Sequence, residues 1–186
     1  MTRANFAAST PDRTTARVRL RPTMTSDIAF VLSLERDEEN LSLITPWERT
    51  QHEAAIRFPD FRHFIIEGGA QLEAIGFLIL IGCRSRHQSL ELKRMVVQAK
   101  GAGFGRAALR VAKKVAFDDL GAHRFWLDVK ARNSRAKALY DSEGFVVEGE
   151  LRDAVKVADG FDTLIVMSML RPEFTGRREL GLELRA

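Results

Sequence analysis

The sequence predicts a single α/β domain built on a mixed, mostly antiparallel central sheet that is flanked by helices. The chain of 186 residues is long enough to bury one proper core. Its middle part is patterned as strand, glycine-rich loop, helix, strand and helix, which implies a parallel strand pair with a right-handed crossover. Short strands with turn residues between them lie on both sides of that unit and indicate antiparallel pairing.

The chain up to residue 83 supplies one strand, two helices and a hairpin. A strand at residues 18–20 is followed by a helix that Thr25 or Ser26 caps. Thr50, with Glu53 three residues later, is a capping signal for a second helix. The remaining strands are expected at residues 63–67, 73–83, 89–97, 123–130, 145–151 and 163–170.

The strand at residues 89–97 is expected to present two faces. One face carries Leu90, Leu92, Arg94 and Val96, and the other carries Glu91, Lys93, Met95 and Val97. Helices are then predicted at about residues 103–120 and 134–142. Gly121 ends the first of them, and Asn133 is the natural N-cap of the second, with Gly144 as its stop.

Composition limits the class and the compartment. With 45% hydrophobic and 29% charged residues, the chain resembles an ordinary soluble globular protein, and its net charge of +4 is mild. Cys83 is the only cysteine, so a reducing, cytoplasmic location is expected. No apolar run is long enough for a membrane span, and no membrane partner is expected. The expected domain covers residues 18–171, between tails at 1–17 and 172–186.

A glycine-rich loop links the strand at residues 89–97 to the helix that follows it. It runs Lys100-Gly101-Ala102-Gly103-Phe104-Gly105-Arg106. Its glycines leave backbone amides uncovered at the positive end of a helix dipole, between two cationic side chains. That arrangement predicts an anion site, most naturally for a phosphate. The spacing does not fit a dinucleotide fingerprint, because Arg106 takes the place of the last glycine, and no Walker Gly-Lys-Ser/Thr is present.

Two motifs together resemble the GCN5-related N-acetyltransferase (GNAT) superfamily. Lys100-x-x-Gly103-x-Gly105 is similar to the family's Gln/Arg-x-x-Gly-x-Gly/Ala, with Lys as a departure at the first position. The run from Asn133 to Tyr140, followed by Gly144-Phe145, resembles the block Asn-x-x-Ala-x-x-Leu-Tyr-x-x-x-Gly-Phe. Within the superfamily the chain resembles the ribosomal-protein-acetyltransferase-like branch. The likeness runs from about Val18 to Leu170.

The resemblance implies a central sheet that is split around a cofactor cleft, and acetyl-coenzyme A (acetyl-CoA) as cosubstrate. In the family, loop amides hold the pyrophosphate, and a bulged strand meets the pantetheine arm and the reacting carbonyl. Carried over to this chain, the expected cofactor-binding residues are Met95, Val96, Val97, Lys100, Gly101, Ala102, Gly103, Phe104, Gly105, Arg106, Asn133, Ala136 and Tyr140.

The resemblance also implies direct attack of an amine on the thioester. Tyr140, the only tyrosine, is the expected acid for the leaving thiolate, and its alternative role is a packed core residue. The base is left open between Asp128, Glu91 and water. Cys83 has no nearby base in the sequence and is interpreted as structural rather than as an acetyl carrier.

The acceptor is expected to be a primary amine, either a protein N-terminus or a small amine. Residues 37–47 and 153–162 are expected to form its groove. The acidic residues Glu35, Asp37, Glu38 and Glu39 either receive a cationic amine there or form an ordinary exposed helix end. No metal is expected, and the chain is expected to be a monomer or homodimer. A non-catalytic acyl-CoA sensor is the alternative function; a nucleic-acid-binding module, driven by basic charge, is disfavoured.

Overall fold

The computed structural model describes residues 17–179 and 181. The predicted tail at residues 1–17 lies almost wholly outside them. The strands are β1 (Val18–Pro22), β2 (Phe61–Gly68), β3 (Glu73–Ile81), β4 (Ser89–Val97), β5 (Arg124–Lys130), β6 (Val146–Val157) and β7 (Gly160–Leu170). The helices are α1 (Ile28–Glu35), α2 (Glu38–Leu41), α3 (Arg49–Arg57), α4 (Phe104–Lys114), α5 (Ser134–Ser142) and α6 (Arg171–Glu179).

All these strands form one seven-stranded sheet in the order β1-β2-β3-β4-β5-β7-β6. Each neighbouring pair is antiparallel except β4 and β5, which are parallel and joined through α4. The predicted mixed, mostly antiparallel α/β architecture is therefore confirmed. No helix among the described residues is long and apolar enough to cross a membrane.

Each face of the sheet carries its own core. One core lies under α4, α5 and α6, where Ala112, Tyr140 and Phe174 pack against strand residues such as Leu127. The other core lies under α1, whose Val31 and Leu34 pack against β2, β3 and the end of β4. We call these the α4 face and the α1 face. Each side chain of the sheet therefore belongs either to the α4 face or to the α1 face.

A bulge in β4 changes which residues share a face. Leu92 pairs with Leu80 and Arg94 with Ile79, so Lys93 is an extra residue in β4. Before the bulge Leu92 belongs to the α4 face; after it Val96 belongs to the α1 face. The expectation that Leu90, Leu92, Arg94 and Val96 share one face was wrong, because strict alternation does not allow for the inserted residue.

Several element boundaries also differ from the sequence prediction. Thr25 and Ser26, the predicted caps of α1, lie inside a short 3₁₀ turn (Thr25–Asp27), and Asp27 is the N-cap of α1. Helix α3 begins at Arg49, and Glu48 and Gln51 form its capping box, with Glu48 N donating to Gln51 Oε1 at 2.8 Å. The predicted Thr50 signal was therefore two residues late. The predicted tail at 172–186 begins instead with α6, since Phe174 is buried and stacks on Phe117 with ring centroids 4.7 Å apart.

Candidate active site

A cleft opens in the sheet between β4 and β5. The two strands pair only over Ser89–Glu91 and Arg124–Trp126, so Glu91 and Trp126 form the last pair before they diverge. Beyond that point β4 stays bonded to β3, and β5 stays bonded to β7. The facing edges of β4 and β5 are left unpaired with each other and form the two walls of the cleft.

The wall formed by β4 presents backbone groups to this cleft. Gln98 N donates to Ile75 O at 2.8 Å, so the backbone polar groups of Gln98 point toward β3. Because these groups alternate in direction along a strand, those of Met95 and Val97 point the other way, into the cleft. Val96 turns its carbonyl toward β3, where a Cβ on Gly76 would lie 2.2 Å from Val96 O. An extended ligand with amide groups fits this open edge.

The glycine loop begins where β4 ends. Gly101 and Gly103 have φ of +88° and +86°, which L side chains rarely adopt. Gly103 is the N-cap of α4, and no described side chain caps the amides of the helix's first turn. Those amides and the helix dipole fit an anionic pyrophosphate. A Cβ on Gly101 would lie 3.7 Å from Arg135 Nη2, so Arg135 adds a cation that the sequence analysis missed.

The two cationic side chains at the ends of the loop have protein partners. Lys100 Nζ donates to Glu39 Oε2 at 2.8 Å, which links the loop to α2. Arg106 Nη1 donates to Glu143 Oε1 at 2.7 Å and to Ser142 Oγ at 3.0 Å. Arg106 therefore links α4 to the end of α5. Cofactor binding by Lys100 and by Arg106 stays a prediction.

Three of the predicted cofactor-binding residues lie at the start of helix α5 or within it. Asn133 is its N-cap, with the side chain accepting from Ala136 N at 3.1 Å. Ala136 and Tyr140 both pack against the core of the α4 face. Tyr140 is only 9% exposed. Burial, with a smaller contribution from the negative charge of Asp128, raises the pKa of Tyr140 to about 12. The phenol of Tyr140 therefore keeps its proton over a wider pH range than an ordinary tyrosine does.

Both candidate bases lie on the α1 face. Phe125, Leu127 and Val129 of β5 belong to the α4 core, so Asp128 between them points to the opposite face. Glu91 pairs with Ile81, which packs on the α1 core. Asp128 lies in the diverging part of β5, whereas Glu91 lies at the apex of the cleft. Glu91 is also bound by Lys93 Nζ at 3.1 Å.

A buried ion pair, absent from the sequence analysis, fixes the segment between α2 and α3. Glu35 is fully buried and accepts from Arg94 on β4 and from Trp47 N at 2.6 Å. Arg94 Nη2 also donates to Thr45 O at 2.6 Å. Burial alone would raise the pKa of Glu35, but His52, Arg94 and the Trp47 amide together hold it below its usual value. The acidic groove residue Glu35 is therefore not available to an acceptor.

A cavity of about 440 Å³ lies on the α1 face, and residues from both segments predicted to form the acceptor groove, 37–47 and 153–162, line it. It is lined by segment 41–46, by the end of β5 and by the turn between β6 and β7. Its charged lining residues are Lys130, Arg132, Lys156 and Asp159. We call it the basic cavity. Asp37, which caps α2 through Glu39 N, is not among its lining residues.

Burial raises the pKa of the Cys83 thiol, which reduces its thiolate fraction and agrees with a structural role. Within the described part of the chain, no three His, Cys, Asp or Glu side chains are grouped closely enough to hold a metal ion.

Comparison with known proteins identifies the family. Residues 17–146 match the acetyltransferase (GNAT) domain. The chain belongs to the GNAT family. Its sequence is 25% identical over 175 residues to spermidine N(1)-acetyltransferase of Vibrio cholerae, covering 88% of this chain and 99% of that one. The Escherichia coli K12 spermidine N(1)-acetyltransferase is 24% identical over 168 residues, covering 84% and 88%.

The GNAT fold is also found in the solved relatives. The V. cholerae spermidine N-acetyltransferase in complex with CoA and spermine superimposes with a TM-score of 0.77, at 26% identity, covering 85% of this chain and 98% of that chain. The chain is thus an acetyl-CoA-dependent N-acetyltransferase, and acetyl-CoA is its cosubstrate. These relatives are spermidine enzymes, and they do not support the narrower resemblance to the ribosomal-protein branch.

Proposed function

We propose that this enzyme acetylates the primary amine of a small acceptor by direct attack within a ternary complex. One observation supports the proposal most: β4 and β5 separate after Glu91 and Trp126 and leave an open backbone edge, and Asp128, on the separated part of β5, is close enough for its charge to act on the buried phenol of Tyr140. The spermidine acetyltransferases among its relatives support an acceptor of small-amine type. Spermidine itself is therefore one of the acceptors to test.

The chain's own residues supply proton transfer and charge stabilisation. Acetyl-CoA supplies an activated thioester. We assign removal of the amine proton to Asp128, directly or through water, because free amines are mostly protonated at neutral pH. A backbone N–H of Met95 or Val97 donates to the carbonyl oxygen as negative charge develops there. As the carbon–nitrogen bond forms and the carbon–sulfur bond breaks, Tyr140 gives its proton to the leaving sulfur.

Asp128 is the better-placed base of the two candidates. It lies along the open part of the cleft, whereas the carboxylate of Glu91 is already engaged by Lys93. We expect Asp128→Asn to lower kcat by about 100-fold, the smaller end of the range for loss of a general base. Glu91→Gln, the matched control, is expected to change kcat less than about threefold. Steady-state rates at saturating acetyl-CoA decide between them, and the reverse ranking would assign the base to Glu91.

An amine panel tests the function itself. Release of the CoA thiol from acetyl-CoA is measured with diamines, spermidine, amino acids, amino sugars and short peptides. At least one small amine is expected to raise thiol release far above the rate in water, with a matching acetylated product by mass. If none does so while CoA still binds tightly, the chain is a sensor of acyl-CoA and the proposal is wrong.

A further inference from the structure

We infer that the acceptor carries an anionic group, a carboxylate or a phosphate, in addition to its amine, and that the basic cavity binds that group. This inference rests on the proposed function, since it narrows the acceptor of the same site. An acceptor of this kind differs from a polycation such as spermidine, whose polar groups are all amines.

The charge of the cavity lining is the first argument. Three cationic side chains and one carboxylate line it. A second carboxylate, Asp162, pairs with two of them, since its Oδ2 lies 2.8 Å from Arg132 Nη2 and 3.6 Å from Lys130 Nζ. Lys156 is exposed at the cavity edge and makes no ion pair with any other described residue. Even with Asp162 counted, the cavity keeps an excess of positive charge, which attracts an anion and repels a polyamine.

The position of the cavity is the second argument. Lys130 follows Asp128 by two residues on β5, so both side chains project from the α1 face. Two residues along a strand span about 7 Å. An acceptor whose amine lies beside Asp128 therefore reaches Lys130 with a group only a few bonds away.

The cavity is separate from the predicted pyrophosphate site. None of its lining residues comes from the glycine loop or from α4. Lys130 and Arg132 are instead tied to the segment before α3, because both donate to Ser42 O, at 3.1 and 2.8 Å. We call residues 41–46 the acceptor-side segment. This segment and the cationic side chains thus form one wall of the basic cavity. We therefore assign the excess positive charge of the basic cavity to binding of the acceptor and not of the cofactor.

Matched acceptors test the inference on the wild-type enzyme. The ω-amino acids and α,ω-diamines of two to six carbons differ at each length only in the terminal group, and O-phosphoethanolamine is compared with ethanolamine. We expect kcat/KM to be at least about tenfold higher for the anion-bearing member of the best pair. The two series separate a carboxylate from a phosphate. A higher kcat/KM for the diamines or for spermidine would overturn the inference and leave the proposed function intact.

A charge reversal at Lys156 tests the cavity directly. Lys156→Glu is expected to lower kcat/KM for the anion-bearing acceptor about fivefold to tenfold and to raise that for the matched diamine, with KM for acetyl-CoA unchanged. Lys114→Glu, an exposed lysine on α4, makes the same charge change on the opposite face and is expected to have no such effect. Equal effects of the two variants would refute the inference. Failure of every acceptor would refute the proposed function as well.

Discussion

Tyr140→Phe is expected to lower kcat by about 100-fold to 1,000-fold and to leave KM for acetyl-CoA within about twofold. The change removes one oxygen and keeps the ring, which packs against Phe145 with centroids 5.8 Å apart. Loss of a positioned general acid costs roughly 100-fold to 10,000-fold in rate. Rates are measured with an acceptor found in the amine panel, at saturating acetyl-CoA.

The pH profile gives the same prediction a second readout. A general acid works only while it is protonated, and burial raises the pKa of Tyr140 to about 12. Wild-type kcat is therefore not expected to fall through loss of this proton until the pH approaches 12, about two units above the value for an ordinary tyrosine. If Tyr140→Phe keeps the wild-type kcat, Tyr140 is a core residue, and a lowered melting temperature is its only remaining effect.

Local patterns in the sequence were sufficient to predict the elements that carry the cofactor motifs. The strand at residues 89–97 and the helix at residues 134–142 were predicted with the bounds that the structure has. Asn133 is the N-cap, as predicted, and Gly144, the predicted stop, follows the helix with a positive φ. These features depend on a few neighbouring residues, because capping and helix termination use contacts within one turn.

Features that depend on distant partners could not be located from local patterns. The family resemblance implied a bulge in β4, but its position at Lys93 depends on the pairing with β3, and no residue type within β4 marks it. The bulge is what turns Arg94 toward α1, where it meets Glu35, 59 residues earlier in the chain. The only signal in the sequence was that Arg94 shared its predicted strand face with three apolar residues. Its partner Glu35 ends α1, among the acidic residues that were expected either to receive a cation or to form an exposed helix end.

Loss of the negative charge at Glu35 is expected to cause a large fall in stability. Glu35→Gln leaves the guanidinium of Arg94, which is 8% exposed, without its counter-charge. Breaking a buried pair in this way costs about 3–5 kcal/mol in the free energy of unfolding. Glu53→Gln is the matched control, since Glu53 pairs with Arg49 at 3.7 Å on an exposed helix surface and contributes under about 1 kcal/mol. Urea unfolding measures both.

The buried pair also holds the acceptor-side segment in place, so its loss has a second, separable effect. Arg94 bonds Thr45 O, and Thr45 lines the basic cavity, whereas the glycine loop makes no bond to this pair among the described residues. Glu35→Gln is therefore expected to raise KM for the acceptor and to leave KM for acetyl-CoA unchanged. Adding Arg94→Met removes the uncompensated charge, so the double variant is expected to lose less stability than the sum of the single changes. If the stability losses of Glu35→Gln and Arg94→Met simply added, or if Glu35→Gln cost as little stability as Glu53→Gln, the pair would not be what anchors this wall of the site to β4.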